Sequence, residues 1–245
     1  MKITIITACR NSIATIADAI ESVRWQKLPD GVELEHLIID GGSNDGTERL
    51  ATISEPDRGM YDAINKGIKM STGEVIGILN SDDVLAADDV IAKVAAAFAD
   101  PDLDGTYGDI RFVKELRGNT VRYCSGRWFR PWMFRFGTQT AHPSTFFRKE
   151  CFAKWGDYSL DYGMYGDFEL LCRFIWKNKA KMKYLSLCTT VMRMGGASTD
   201  GWRTTLKINR SDLRALRANG CWSCMPLLYS RYLVKIWGFM FKGGR

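Results

Sequence analysis

Two adjacent carboxylates, Asp82 and Asp83, stand at the end of an apolar run, Val75-Ile76-Gly77-Ile78-Leu79, reached through Asn80-Ser81. Side by side they repel unless something cationic or hydrogen-bonding lies between them. A divalent cation answers that need. Hard oxygen ligands suit magnesium or manganese, which keep positions open for the phosphate oxygens of a substrate. The other reading of the dipeptide is a cap on the following helix, a place where Asp is favoured. What decides between them is the set of elements that holds the two acids.

Lys2-Ile3-Thr4-Ile5-Ile6-Thr7 is rich in β-branched residues and reads as a strand, and Ile13, Ile16, Ala17, Ile20 and Val23 then fall on one helical face. Leu34 to Ile39 is a second strand ending in Asp40-Gly41-Gly42-Ser43-Asn44-Asp45-Gly46, with a short helix expected from about Thr47. Tyr61, Ile64 and Ile68 mark another helix, and Val75 to Leu79 suits a strand buried on both faces. This βαβα alternation predicts an α/β fold, a Rossmann-like, mostly parallel central sheet flanked by helices. Ligands of such sheets bind beyond the carboxyl ends of the strands, where Thr7 to Asn11, Asp40 to Asp45 and Asn80 to Asp83 converge. After residue 100, strands are expected over Thr106 to Val113 and Asn119 to Cys124. An aromatic-dense segment from Trp128 to Phe136 follows, then helices at about 164–178, 202–219 and 226–241.

The 245 residues fit one α/β domain, and 46% hydrophobic content is ample for a continuous core. No linker, low-complexity block or repeat interrupts them. The net charge of +6 comes from basic residues interleaved with acids and without a groove-reading motif, which argues against nucleic acid and suits an anionic substrate or membrane surface. The seven cysteines match no disulfide framework, so a reducing compartment is the simpler reading. Cys221-x-x-Cys224 has no second pair to make a zinc site. The short apolar run before Arg10 does not read as a signal peptide.

Three stretches carry a resemblance: Ile5-Ile6-Thr7-Ala8-Cys9-Arg10-Asn11, Ile38-Ile39-Asp40-Gly41-Gly42-Ser43-Asn44-Asp45-Gly46-Thr47 and Gly73 to Asp83. In order and spacing the chain resembles family-2 glycosyltransferases. Ser54-Glu55-Pro56-Asp57-Arg58-Gly59-Met60-Tyr61-Asp62-Ala63-Ile64-Asn65-Lys66-Gly67-Ile68 is similar to the branch that builds bacterial exopolysaccharide and O-antigen units, such as colanic acid transferases. The resemblance covers residues 1–90 closely and 137–198 more loosely. It implies a GT-A fold over 1–200, with a nucleotide-binding half to about 110 and an acceptor half after it. Residues 201–245 form a C-terminal helical extension.

Residue by residue, the resemblance implies that Asp40 bonds the donor base and that Thr7, Ala8 and Arg10 line the nucleotide pocket. Asp82 would contact ribose or metal, and Asp83 would hold a divalent Mn or Mg ion that neutralises the leaving diphosphate. Asn65 belongs to the Ser54 to Ile68 run, where Ile64 stands in place of a frequent Arg, so Arg58 is expected to supply the charge. Asp167, in Tyr162-Gly163-Met164-Tyr165-Gly166-Asp167-Phe168-Glu169, is the expected general base, ahead of Glu169. The family often has Glu-Asp where this chain has Gly166-Asp167. The local alternative is a helix cap for Asp167 and a first-turn acid for Glu169. His142 matches a position often filled by His, with an acceptor-site or diphosphate role and a packing role both open. Gly195-Gly196 reads as a lid over the donor or as a plain turn.

The implied reaction is an inverting transfer from a nucleotide-diphosphate sugar, UDP-sugar favoured, to an acceptor hydroxyl, on a glycan or lipid-linked glycan of a bacterial surface polysaccharide. A sugar-phosphate nucleotidyltransferase is the rival enzyme, but Ala8-Cys9-Arg10-Asn11-Ser12 is not its glycine-rich phosphate loop. A nucleotide-binding pseudoenzyme is argued against by Asp40, Asp82, Asp83 and Asp167 together. The expected place is the cytoplasm, free or peripheral on the inner face of the cytoplasmic membrane. Trp128, Phe129, Trp132, Phe134 and Phe136 alternate with Arg127, Arg130 and Arg135, a composition that suits a membrane interface as well as a core. Pro226 to Phe241 is too short and charged to span a bilayer. Arg231, Lys235 and Lys242 share one stripe of that helix, leaving an in-plane membrane helix and a docked helix both open.

Overall fold

A computed structural model describes residues 1–116, 118–194 and 201–240, without the side chains of 201–203 and 233–240. The chain runs β1 (Lys2–Cys9), α1 (Ile16–Arg24), β2 (Glu33–Asp40), β3 (Ile53–Ser54), α2 (Met60–Met70), β4 (Val75–Ile78) and β5 (Val84–Leu85). It continues through α3 (Val90–Ala97), β6 (Gly105–Val113), β7 (Thr120–Cys124), β8 (Thr145–Arg148), α4 (Lys149–Trp155), α5 (Gly166–Leu171), β9 (Met182–Arg193), α6 (Gly201–Ala218) and α7 (Met225–Met240).

The strands form one nine-stranded sheet in the order β3-β2-β1-β4-β8-β6-β9-β5, with β7 also on β6. From β3 to β4 every pairing is parallel, the part that the βαβα pattern anticipates. Beyond it the sheet turns mixed: β8 runs antiparallel to β4 and β6, while β9 is parallel to β6. The strand β9 is absent from the sequence reading. It fills the gap between β6 and β5 and carries Arg193 to the acid pair.

Side chains alternate across β1, so Ile3 and Ile5 enter one core layer with Ala19, Val23, Val94 and Phe98 while Ile6 enters the other. That second layer holds Tyr61, Ile64 and Ile68 of α2. The helix lies close to the sheet because Gly67 faces β1: a Cβ there would stand 2.5 Å from Ile6 Cγ2. Phe134, Phe168, Leu171, Leu216 and Leu228 extend the same layer, so α6 and the first turns of α7 are docked on the sheet through it.

This docking corrects the expected basic stripe. The Arg231 side chain is only 12% exposed and turns inward, donating to Gly137 O at 2.6 Å, Asp212 Oδ2 at 2.8 Å and Asn209 Oδ1 at 2.6 Å. A guanidinium turned inward onto a buried carboxylate cannot also face lipid. The side chains of Lys235 and Trp237, and residues Phe241, Lys242 and Arg245, lie outside the description. Among the described residues no helix is long and apolar enough to cross a membrane.

Candidate active site

The carboxyl ends of β1, β2 and β4 bring together the expected polar clusters. Asp40, the last residue of β2, is fully buried. Its Oδ2 accepts from the backbone N of Gly42 (3.2 Å) and Ser43 (2.9 Å) and from Ser54 Oγ (2.6 Å), and Oδ1 accepts from Ser43 Oγ. Burial opposes its ionisation, but these donors outweigh burial and hold its carboxyl below the usual range. Asp40 thus orders its own loop and ties β2 to β3. Thr7 is also fully buried, with its Oγ1 2.9 Å from Nε2 of His36, whose pKa burial pushes down to about 4. The loops at 11–13 and 43–47 are laced together: Asn11 N donates to Ser43 Oγ (2.7 Å), Ser12 N to Thr47 Oγ1 (2.9 Å) and Ile13 N to Asp45 Oδ2 (3.1 Å). Of the expected nucleotide-side residues, half-buried Ala8 and exposed Arg10 stand open to solvent.

The two acids after β4 differ sharply. Asp83 is 1% exposed, with Oδ2 accepting from Asn80 Nδ2 at 2.8 Å and Oδ1 from the backbone N of Arg193 at 3.3 Å. Burial, and then the charge of Asp82, push its pKa up to about 7. Asp82 is half-buried, and among the described residues no protein donor reaches its carboxylate. Asp83, the expected metal ligand, is thus enclosed by protein, and its neighbour Asp82 is the more open of the two. The side chain of Arg193, which the sequence reading missed, pairs with Asp18 of α1 and so clasps β9 across the acid pair. Its sequence signal was the basic residue ending the β-branched run Thr189-Thr190-Val191.

Asp167 sits at the start of α5, half-buried. Tyr61 Oη donates to its Oδ1 at 3.3 Å and accepts from its backbone N at 3.1 Å, while Gln139 Nε2 donates to Oδ2 at 2.8 Å. Gly166 has a physical reason, because a Cβ there would stand 2.9 Å from Cδ2 of Tyr61. The Tyr61 ring stacks on Tyr158 (5.1 Å between centroids, 12° between planes), and Tyr158 Oη lies 2.6 Å from His142 Nε2. Asn65, expected near the donor, instead clamps the Tyr158 backbone from both sides, donating to its O at 2.8 Å and accepting from its N at 2.9 Å. Burial keeps His142 neutral by lowering its pKa against the opposing charge of Asp167. Tyr61 and Tyr158 are held in their phenol forms first by burial and then by the same charge.

Glu169, two residues on, is committed to the fold. It makes a two-pronged pair with Arg173 (both contacts 3.0 Å) and accepts from Asn219 Nδ2 at 3.2 Å. Arg58 is exposed and pairs with Asp62 at 3.2 Å on the first turn of α2. Gly195 and Gly196 lie outside the described residues. Among those residues no group of three or more His, Cys, Asp or Glu is gathered for a metal ion.

The sequence pattern described as Glycosyl transferase family 2 matches residues 4–153. A PGL/p-HBAD biosynthesis glycosyltransferase of Mycobacterium tuberculosis is 30% identical over 182 residues, covering 69% of this chain and 68% of that protein. An uncharacterized glycosyltransferase of the same species is 28% identical over 189 residues, 70% of this chain and 68% of the other. A poly-beta-1,6-N-acetyl-D-glucosamine synthase of Staphylococcus epidermidis is 28% identical over 138 residues, half of this chain and 33% of the synthase. Among solved structures, S. aureus TarS superposes with a TM-score of 0.63 at 18% identity, over 88% of this chain and 40% of TarS. A mannosyltransferase from Pyrobaculum calidifontis in complex with GDP-Man and Mn2+ superposes at 0.58 and 17% identity, over 97% of this chain and 80% of its own. Further TarS structures contain UDP and UDP-GlcNAc. At these identities the likeness carries the fold, a GT-A arrangement.

Proposed function

The chain belongs to glycosyl transferase family 2, and on that premise we propose that it moves a sugar from a nucleoside-diphosphate sugar to an acceptor hydroxyl with inversion at the transferred carbon. The observation that carries this reading is Asp167: a half-buried carboxylate, oriented by Tyr61 and Gln139, in the same fold as a second open acid, Asp82. In the transfer Asp167 takes the proton of the attacking hydroxyl. The new glycosidic bond forms as the bond to the diphosphate breaks on the opposite face of the sugar. His142, Tyr158 and Tyr61 fix the geometry of Asp167 and exclude water beneath it.

The donor set fits a divalent cation. Burial and then the charge of Asp82 raise the pKa of Asp83; a cation would relieve the second of these, and Asp82 has no protein partner of its own among the described residues. Asp82 would be the protein ligand, with the diphosphate oxygens completing the shell and Asp83 shaping the loop from behind. Such an ion, when bound, supplies Lewis-acid neutralisation of the leaving diphosphate. A UDP-sugar is the favoured donor, given TarS with UDP and UDP-GlcNAc, although the GDP-Man complex keeps other bases in the test. A lipid-linked glycan acceptor, met from the cytoplasmic face of the membrane, fits the relatives in glycolipid and polysaccharide synthesis.

Thermal unfolding against a panel of nucleotide-sugars, with and without manganese, tests the donor. A true donor raises the midpoint by mass action, and a panel without any metal-dependent shift contradicts the reading.

A further inference from the structure

Beside Gln139, the segment joining β7 to β8 folds back over β6 and leaves a cleft of about 280 Å³. Its wall is mainly apolar, with Ile110 and Phe112 from β6 and Trp128, Phe129 and Met133 from the joining segment. Phe129 is buried edge-on against Tyr107 (5.8 Å) and Phe134 (5.4 Å), which fixes that side of the wall. Trp128, in contrast, is 72% exposed. A large aromatic left in water at the rim of an apolar cleft is a surface waiting for a partner.

Among the residues that line the cleft the one charged side chain is basic, while the carboxylate of Asp167 stands behind Gln139. Arg122 lines it, with its guanidinium 5.8 Å from the Phe112 ring centroid, and the guanidinium of Arg127 stands 5.3 Å from that of Trp128. No acid lines the cleft, and the sequence holds no Asp or Glu between Glu115 and Glu150. Guanidinium groups pair with phosphate oxygens two at a time, so an acid-free wall with an arginine that has no acidic partner among the described residues favours a phosphate over a neutral group. Gln139 also lines the cleft, and its Nε2 holds Asp167 Oδ2 at 2.8 Å, so one wall of the cleft adjoins the proposed base. The volume lies near the low end of small-ligand pockets and admits one part of an acceptor rather than a chain of sugars.

We propose that this cleft is the acceptor subsite and that it takes an apolar or aromatic group bearing a phosphate, in preference to a neutral oligosaccharide. The proposal rests on Asp167 being the base, since that is what makes the neighbouring cleft the acceptor side. Trp128 and Phe112 hold the apolar group, Arg122 holds the phosphate, and Gln139 marks the side where the reacting hydroxyl lies.

The test is calorimetric titration of the full chain with 1-naphthyl phosphate, 1-naphthyl β-glucoside and inorganic phosphate, with circular dichroism to check folding of each variant. The naphthyl phosphate is expected to bind about tenfold more tightly than either control, Trp128→Ala to weaken it about tenfold, and Arg122→Gln to bring it level with the glucoside. Equal binding of the naphthyl phosphate and the naphthyl glucoside, or no change in Trp128→Ala, overturns the proposal. So does a Trp128→Ala variant that loses cosedimentation with phosphatidylglycerol vesicles yet binds naphthyl phosphate normally, since Trp128 would then be a membrane contact. Asp167→Asn separates this proposal from the functional reading: it should bind the probe like the wild type, and full turnover in that variant would refute the base while leaving the probe result to decide the cleft.

Discussion

Beyond the carboxyl ends of β1 and β2 the polar residues hold one another through short bridges between neighbouring loops, whereas around Asp167 the holding is done by rings and amides from distant segments. Asn11 to Ser43 and Ser12 to Thr47 join two adjacent loops. Tyr61 and Gln139 come to Asp167 from α2 and from the segment before β8. Both regions contain acids that look alike in sequence, and in both, burial sorts them. Asp40, Asp83 and Glu169 are enclosed and saturated by donors, and they build the site. Asp82 and Asp167 keep part of their surface open, and they are the two acids to which the proposed reaction assigns the chemistry.

The strongest way to break this division is at Glu169. Glu169→Ala leaves Arg173 buried without its counter-charge, an expected loss of about 3–5 kcal/mol in denaturant unfolding. A loss below about 1 kcal/mol would mean that Glu169 is not part of the frame. At the acid pair, Asp82→Ala is expected to remove the manganese-dependent gain in donor affinity, about tenfold or more, while Asp83→Asn retains most of it. Titration of the donor with and without chelator reads both, and the reverse ranking would return the metal to Asp83.

A further expected effect, one of pH, concerns Thr7 and His36. Burial lowers the folded pKa of His36 to about 4, below its ordinary 6.5. The unfolded chain therefore takes up the proton first. Its contribution to stability is intact above pH 6.5 and is lost as the pH falls toward about 4, at about 1 kcal/mol per pH unit. Urea unfolding of wild type and His36→Gln at pH 7, 6 and 5 checks this, and parallel pH dependences would contradict it.

Much of the frame was legible because its signals are local. The apolar runs of β1, β2 and β4 are buried on both faces, and a parallel sheet needs little more than that. β9 escaped because Lys183, Ser186, Cys188 and Thr189 break up its apolar pattern, and only its pairing with β6 and β5 makes it a strand. Helical periodicity put Arg231 on a basic stripe, yet the buried Asp212 and Asn209 that turn it inward lie on another helix. Which of Asp82 and Asp83 is enclosed could not be read because neighbouring residues face different ways, and one of the donors that encloses Asp83, Arg193, is remote in sequence. Asn65 lies in a motif that the resemblance ties to the donor, while its partner Tyr158 is remote in sequence.

The most direct measurement of the central claim is turnover and donor affinity in Asp167→Asn. The substitution keeps the size of the side chain and removes its capacity to take a proton. The expected result is turnover lowered by about a hundredfold or more with donor affinity unchanged, the signature of a lost general base. Near-wild-type turnover would contradict the account and move the base elsewhere.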